Sequence, residues 1–394
     1  MNHVVGIIAE YNPFHNGHLY HLNQTKKLFP DATIVLILSG NFTQRGTPAI
    51  LDKWTRTKHA LEAGVDIVVE LPFPFATAAA DIFASGAIKL CHELGVTDLV
   101  FGSESNDIKG IQELVEVELN NKDFPSLVQV YLRMGYNYPT ALSRALEDIT
   151  GTTYSLPNDI LGISYVKAIK KNHYSIIPHT IKRTNEYHNK ELDQNKMISS
   201  ATSIRLALQN KEDIKEHVPS YVLKSLKDMI PYKKDDIFPL YQYKIITDPN
   251  LEEYHLVDSG LAKRLKKEIT KVNTLDDLIK KVKRKNMTYA TINRILLYII
   301  CGFTKGMAKN MNDISYIRLL GFSKKGQSYL NRIKKNIDIP IVSKFSRERD
   351  NMLEFEYQTT KVYALFFKTI SPKIIEQEYK NIPIRKEEQN ETND

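Results

Sequence analysis

The first hundred residues alternate short, unbroken apolar runs with segments of helical spacing, and this alternation limits the fold more than any other feature. Val4–Ala9 (VVGIIA), Thr33–Ser39 (TIVLILS), Asp66–Leu71 (DIVVEL) and Asp98–Phe101 (DLVF) read as buried strands. Helical patterns separate them: one from His18, one opened by Asp52 and stopped by Gly64, and a small-residue stretch from Thr77 to Leu94. Strands without polar alternation are covered on both faces, and strands linked through helices run parallel. The expected class is α/β, a parallel sheet between helices.

Ligands in such sheets bind beyond the carboxyl ends of the strands. Four loops fall there: Glu10–His18, Gly40–Gly46, Glu70–Phe75 and Gly102–Glu104. The first carries His15-x-Gly17-His18 where loop becomes helix. A helix N-terminus has unpaired N–H groups and partial positive charge, so two imidazoles there suggest phosphate chemistry. The plain alternative is a loop histidine and a capping histidine. Arg45, Lys53, Arg56, Lys182 and Arg183 also fall at or just after strand ends, the last two closing a fifth strand, His173–Arg183. They suit a triphosphate, whereas surface salt bridges are the plain reading for Lys53 and Arg56. Ile198–Arg205 (ISSATSIR) puts hydroxyls and an arginine at a second helix start, as a cap or as a holder of the β and γ phosphates. Glu10, Glu70 and Glu104 read either as metal or ribose contacts or as loop-capping carboxylates.

The chain of 394 residues predicts two or three domains. A helical stretch is expected over about 107–150, and Pro157-Asn158-Asp159 opens another helix. From about Val218 the spacing is helical, clearest in TLDDLIKKVKRKN and TYATINRILLYIICG. SYIRLLGFSKKGQSYLNRIKK reads as two helical pieces about a glycine, and the tail 385–394 as disordered. The expected division is 1–217, with the insertion at about 107–150, and 218–384. The charge is uneven: residues 1–200 carry 18 basic and 21 acidic side chains, and residues 251–350 carry 22 and 10. A basic second half fits a polyanion, with a lysine-rich solvated surface as the alternative. Cys91 and Cys301 read as reduced core residues and suggest neither a metal site nor a disulfide. No apolar run reaches membrane-spanning length and the N-terminus lacks the order of a signal peptide, so a cytoplasmic protein without a membrane partner is expected.

HxGH after a first strand, followed much later by SSxTxIR, resembles the nucleotidylyltransferase superfamily, whose core is Rossmann-like. GIIAEYNPFHNGHLYH, SGNFTQRGTPAI, DIVVELPFPFA, FGSE, SLPNDILGISYVKA and ISSATSIR, in this order, resemble the bacterial tRNA(Met) cytidine acetate ligase family over essentially the whole chain. One departure is visible: Ala201 lengthens the serine-serine-threonine step, leaving open which of Ser199, Ser200 and Thr202 meets phosphate. The resemblance implies a Rossmann-like ATP-binding domain followed by a mostly helical, basic tRNA-binding domain. It implies that ATP and acetate give acetyl-adenylate and pyrophosphate, and that the wobble cytidine of elongator tRNA(Met) then takes the acetyl group on N4, releasing AMP. His15 and His18 would be catalytic, and Mg²⁺ would accompany ATP without a metal site on the protein. The ATP cradle would be Ile7, Ile8, Ala9, Glu10, Tyr11, Asn12, Pro13, Phe14, His15, Asn16, Gly17, His18, Leu19 and Tyr20, with Gly102, Asn158, Arg183, Ser199, Thr202 and Arg205. Lys280, Lys281, Lys283, Arg284 and Lys285 form the densest basic run and are the expected tRNA contacts on the anticodon stem-loop, with no obligate protein partner. The competing readings are transfer of AMP to a small phosphorylated acceptor, and a nucleotide-sensing or RNA-binding protein with a degenerate site.

Overall fold

The computed structural model describes residues 3–152, 156–183, 192, 197–227, 234–345, 350–367 and 372–387. Its centre is one mixed sheet. Strands β1 (Val4–Ala9), β2 (Thr33–Ser39), β3 (Ile67–Leu71), β4 (Asp98–Ser103) and β5 (Ile177–Lys182) run parallel to their neighbours in the order β5-β4-β1-β2-β3. Every residue of β2 and β3 is buried, as their unbroken apolar runs require. Order reverses at β1: the chain steps one way to β2 and β3 and the other way to β4 and β5. Such a reversal opens a crevice beyond the carboxyl ends.

The sheet continues with residues from the far end of the chain. β6 (Ile317–Phe322) lies antiparallel beside β3, and β7 (Ile341–Val342) and β8 (Ile384–Arg385) both pair parallel with β6. This corrects the helical reading of SYIRLLGF. A short apolar run fits either structure, and burial of Ile317, Arg318, Leu319 and Leu320 on both faces selects the strand. Gly321, one residue before the end of β6, lets helix α2 (Lys53–Glu62) pack close: an added Cβ would sit 2.8 Å from Leu61 and from Thr57. The turn comes at Ser323, whose hydroxyl caps the helix Lys324–Ile333. The expected tail is corrected at its start, where Arg385 belongs to β8 and the Lys386 N–H donates to the Phe322 carbonyl; residues 388–394 lie outside the described residues.

Elsewhere helices prevail. The insertion forms helices Ile108–Asn120, Phe124–Arg133 and Tyr138–Thr150. The sheet draws strands from both sides of residue 217, and the aromatic core is shared likewise: Phe73, after β3, packs 5.9 Å from Phe303 and 5.4 Å from Phe355. Cys91 and Cys301 are buried and unpaired, as expected of core thiols.

Two basic residues at strand ends turn inward. Lys53 is 1% exposed and pairs with Glu70 at 2.7 Å and Glu378 at 2.6 Å. Burial works against its charge, but Glu378, Glu70 and Glu356 together hold the ammonium above its ordinary range. Arg56, fully buried, donates to the carbonyls of Leu51 (2.9 Å), Glu10 (2.6 Å), Ser39 (3.0 Å) and Gly40. The plain reading of both as surface salt bridges and the phosphate reading are therefore both corrected: both are interior cations, Lys53 joining a strand end to a C-terminal helix and Arg56 gathering carbonyls at the ends of β1 and β2. Lys53→Met leaves buried carboxylates without a counter-charge and is expected to cost about 3–5 kcal/mol. Urea unfolding at neutral pH checks this, and a loss below about 1 kcal/mol would show that the pair behaves like an exposed one.

Candidate nucleotide-binding site

Beyond the carboxyl ends of β1, β4 and β5 lies a cleft of about 490 Å³. One wall is helix α1 (Asn16–Leu28), which begins two residues earlier than its spacing suggests, with His15 as its N-cap. The His15 Nδ1 accepts from the Gly17 N–H at 3.0 Å, and the His15 N–H donates to the His18 Nδ1 at 3.3 Å. The ring centroids are 3.8 Å apart. Capping and ligand binding are thus not alternatives here. Each imidazole spends Nδ1 on the helix terminus, which puts the proton of the neutral ring on Nε2. Burial, then the nearby Arg183 and Arg205, pushes the His15 imidazole down to about 3. Burial, then His15, drives His18 well below the ordinary imidazole range. Both are therefore neutral Nε2–H donors at physiological pH. Gly17 follows from the same packing: a Cβ there would lie 2.8 Å from the His15 Cε1.

Two cations from later elements line the same cleft. Arg205, on the helix Ala201–Asn210, donates to the Asn12 carbonyl at 2.7 Å and to the Thr202 hydroxyl at 3.1 Å. Arg183, just after β5, reaches the Asn158 Oδ1 at 3.3 Å. Asn158 itself donates to the Glu104 carboxylate at 2.5 Å, and the Asp159 N–H donates to the other Glu104 oxygen at 3.1 Å. In return Asp159 accepts from the Ser103 hydroxyl at 2.5 Å and the Glu104 N–H at 3.1 Å. This exchange locks the loop after β4 to the N-terminus of the helix Pro157–Lys171. Glu104 is thus a capping carboxylate, Glu70 belongs to the interior, and only Glu10 of the three lines the cleft, where it accepts from the Gln44 N–H at 2.8 Å.

The cleft brings together Ile7, Ile8, Ala9, Glu10, Tyr11, Asn12, His15, Gly17, His18 and Tyr20 with Gly102, Asn158, Arg183, Thr202 and Arg205. It does not include Pro13, Phe14, Asn16 or Leu19. Phe14 is a core side chain, and Asn16 ties α1 to the carbonyls of Met197 (3.0 Å) and Glu216 (2.8 Å). Ser199 is also corrected: it is buried against the His217 Nδ1 at 2.9 Å, away from the cleft. Ser200 lines the cleft while capping its helix by accepting from the Ser203 N–H, and Thr202 is the hydroxyl beside Arg205. Sequence reasoning missed His21 and the aromatic wall of Phe83, Phe101 and Tyr165. Arg45 lines the cleft together with Thr43, Gln44 and Thr47, as its loop position suggests.

Lys280, Lys281, Lys283, Arg284 and Lys285 lie outside the cleft, at and after the helix Leu275–Val282. Lys280, Lys281 and Lys285 are exposed. Arg284 is engaged: its guanidinium makes two bonds to Asp258, at 2.7 and 2.8 Å.

Neutral imidazoles at one helix terminus, in one cleft with arginines from later elements, are the equipment of a nucleotide-transferring enzyme. The chain belongs to the HIGH Nucleotidyl Transferase family, whose family model matches residues 1–378. It is 38% identical to the tRNA(Met) cytidine acetate ligase of Geobacillus sp. (strain WCH70), covering 96% of this chain and 99% of that protein. It is 39% identical to a protein of that name from Clostridium perfringens, over 92% of this chain and 94% of the relative. Among solved structures it is similar to Thermotoga maritima TmcAL in an apo form, with TM-score 0.90 and 31% identity over 97% of this chain and 99% of that one. TmcAL bound with alpha-thio ATP matches at TM-score 0.87.

Gly17→Ala is expected to displace the His15 ring while leaving the fold intact. A misplacement of this kind costs about 10²-fold in rate. The check is titration with ATP together with thermal unfolding: the binding signal falls and the transition temperature holds.

Proposed function

We propose that the chain is an ATP-dependent ligase joining acetate to the N4 amine of the wobble cytidine of elongator tRNA(Met), giving N4-acetylcytidine, AMP and pyrophosphate. The observation that carries this reading is the pair of neutral imidazole donors in one cleft with Arg183 and Arg205, in a chain similar to the acetate ligases over nearly its whole length.

The chemistry follows from what the cleft holds. An acetate oxygen attacks the α phosphorus of ATP, and the bond from that phosphorus to the α–β bridging oxygen breaks, releasing pyrophosphate. Acetate is already an anion, so this step needs alignment and charge stabilisation more than a base. The Nε2–H groups of His15 and His18 donate to the α-phosphoryl oxygens as their charge grows. Arg205, Thr202 and the start of the helix Ala201–Asn210 suit the leaving pyrophosphate, and Arg183 with Asn158 completes the cradle. The cytidine amine, its lone pair spread into the ring, then attacks the acetyl carbon, AMP leaves, and the nitrogen loses a proton.

Mg²⁺ accompanies the nucleotide. An ion of this kind would be carried mainly by the phosphates and needs no dedicated protein cage. The exposed Lys280, Lys281 and Lys285 suit the phosphates of an anticodon stem-loop, setting affinity and register. Among the described residues no helix is long and apolar enough to cross a membrane.

The deciding experiment is nucleoside analysis of methionine tRNA incubated with the protein, ATP and acetate. N4-acetylcytidine is expected. Acetate-independent consumption of ATP by a phosphorylated small molecule would favour the alternative of AMP transfer to that acceptor. In acetate-dependent exchange of pyrophosphate into ATP, His15→Ala and His18→Ala are each expected to lose about 10²–10³-fold, or about 2.7–4 kcal/mol of barrier.

Because the two imidazoles lie far below their ordinary pKa, neither gains a proton as pH falls from 8 to 5.5. In the nucleotide-free protein, NMR titration of the two ring Cε1–H signals should show no inflection across that window; an inflection near the ordinary imidazole value of about 6.5 would show that the rings titrate. Separately, Lys281→Glu with Lys285→Glu should weaken acetyl transfer to tRNA and spare exchange, with Arg284 left in place because its charge is spent on Asp258.

A further inference from the structure

Tyr289 opens the helix Tyr289–Cys301, its backbone fixed by the Thr288 cap, yet its side chain is 59% exposed. A large ring left in water at a rigid helix start makes no contribution to the core. Its surroundings are cationic. The Lys283 ammonium sits 5.3 Å from the ring centroid and is steadied by the Arg284 carbonyl at 3.5 Å. Lys280, Lys281 and Lys285 are exposed on the same segment. Tyr138 and Tyr243 are exposed as well, but among the described contacts no cation lies over either ring.

The helix also reaches the cleft. Gly46 packs so tightly on its backbone that a Cβ would lie 2.4 Å from the Arg294 nitrogen and 2.6 Å from the Asn293 carbonyl carbon. The loop ending in Gly46 supplies Thr43, Gln44 and Arg45 to the cleft. Asn293 is four residues beyond Tyr289 and therefore on the same helix face, about 6 Å along the axis. An exposed aromatic ring with lysines beside it thus stands one helical turn from the loop that borders the nucleotide.

We propose that Tyr289 is a stacking platform for an unpaired RNA base next to the one that enters the cleft, Lys283 covering one face of the ring and the base the other. Splaying an anticodon base exposes its neighbour's π-face, and an aromatic ring flanked by cations recovers the lost stacking whatever the base. The inference rests on the tRNA reading given above and assigns it a residue.

The test uses the full chain. Loss of one stacked base predicts that Tyr289→Ala raises KM for methionine tRNA by about 5- to 100-fold, relative to acetate-dependent pyrophosphate exchange measured on the same preparation. Tyr289→Phe keeps the ring and should keep the wild-type KM. Tyr289→Trp gives a direct signal: an anticodon stem-loop should quench the new indole, whereas a duplex RNA with as many phosphates should not. An unchanged KM in Tyr289→Ala, an equal loss in Tyr289→Phe, or equal quenching by duplex would each overturn the platform. Failure of the tRNA reading appears separately, as a wild-type protein that leaves methionine tRNA unacetylated, and the indole signal then still decides whether an unpaired base stacks here.

Discussion

One turn of helix α2 carries two buried cations, and the cleft depends on where they end. Arg56 gathers the carbonyls of Glu10, Ser39 and Gly40, which are the last turns of β1 and β2 before their loops. Carbonyls at the ends of parallel strands point out of the sheet with no partner strand to receive them, and a buried carbonyl without a donor is costly. A guanidinium, with five donors in a fixed plane, satisfies several at once. Lys53 completes the arrangement by pairing with Glu70 at the end of β3 and with Glu378 from the end of the chain. The interior is stabilised less by these charges themselves than by the absence of any better partner for them.

This interior lattice explains how the C-terminal half is fixed to the cleft. Asn41 accepts from the Lys53 N–H and donates to Thr360, and Thr360 donates to Glu378. Glu356 accepts from the Phe73 N–H, and burial, then Glu70, raises its carboxyl well above the ordinary range. Gly40 is confined by the same groups, since a Cβ there would lie 2.6 Å from Glu70. Helices that carry no cleft residue are therefore joined by hydrogen bonds to loops that do. The helices Asn351–Ala364 and Pro372–Lys380 are thereby tied to the loops that border the cleft.

Much of this was legible in the sequence, for reasons that can be named. The first four strands show because parallel strands covered on both faces are apolar at every position. The HxGH loop shows because its glycine and both histidines are local to one turn, and their mutual contacts span three residues. What failed to show was long-range. Ile317–Phe322 has a run that suits a helix as well as a strand, and only β3, far earlier in the chain, decides between them. Lys53 and Arg56 stand where phosphate ligands stand, and nothing nearby in sequence announces that Glu378 will meet one of them. Ser199 looks like its neighbours until His217 removes it.

The position of β6 has a consequence for how the protein is made. Synthesis runs from β1 onward, and β3 presents an open edge, with unpaired backbone groups and buried-type side chains, until the ribosome has added Ile317–Phe322. The cleft's own residues are all translated by Arg205, more than a hundred residues before that edge is closed. A half-made chain thus holds every group needed to grip a nucleotide but not the strand that completes the sheet behind it.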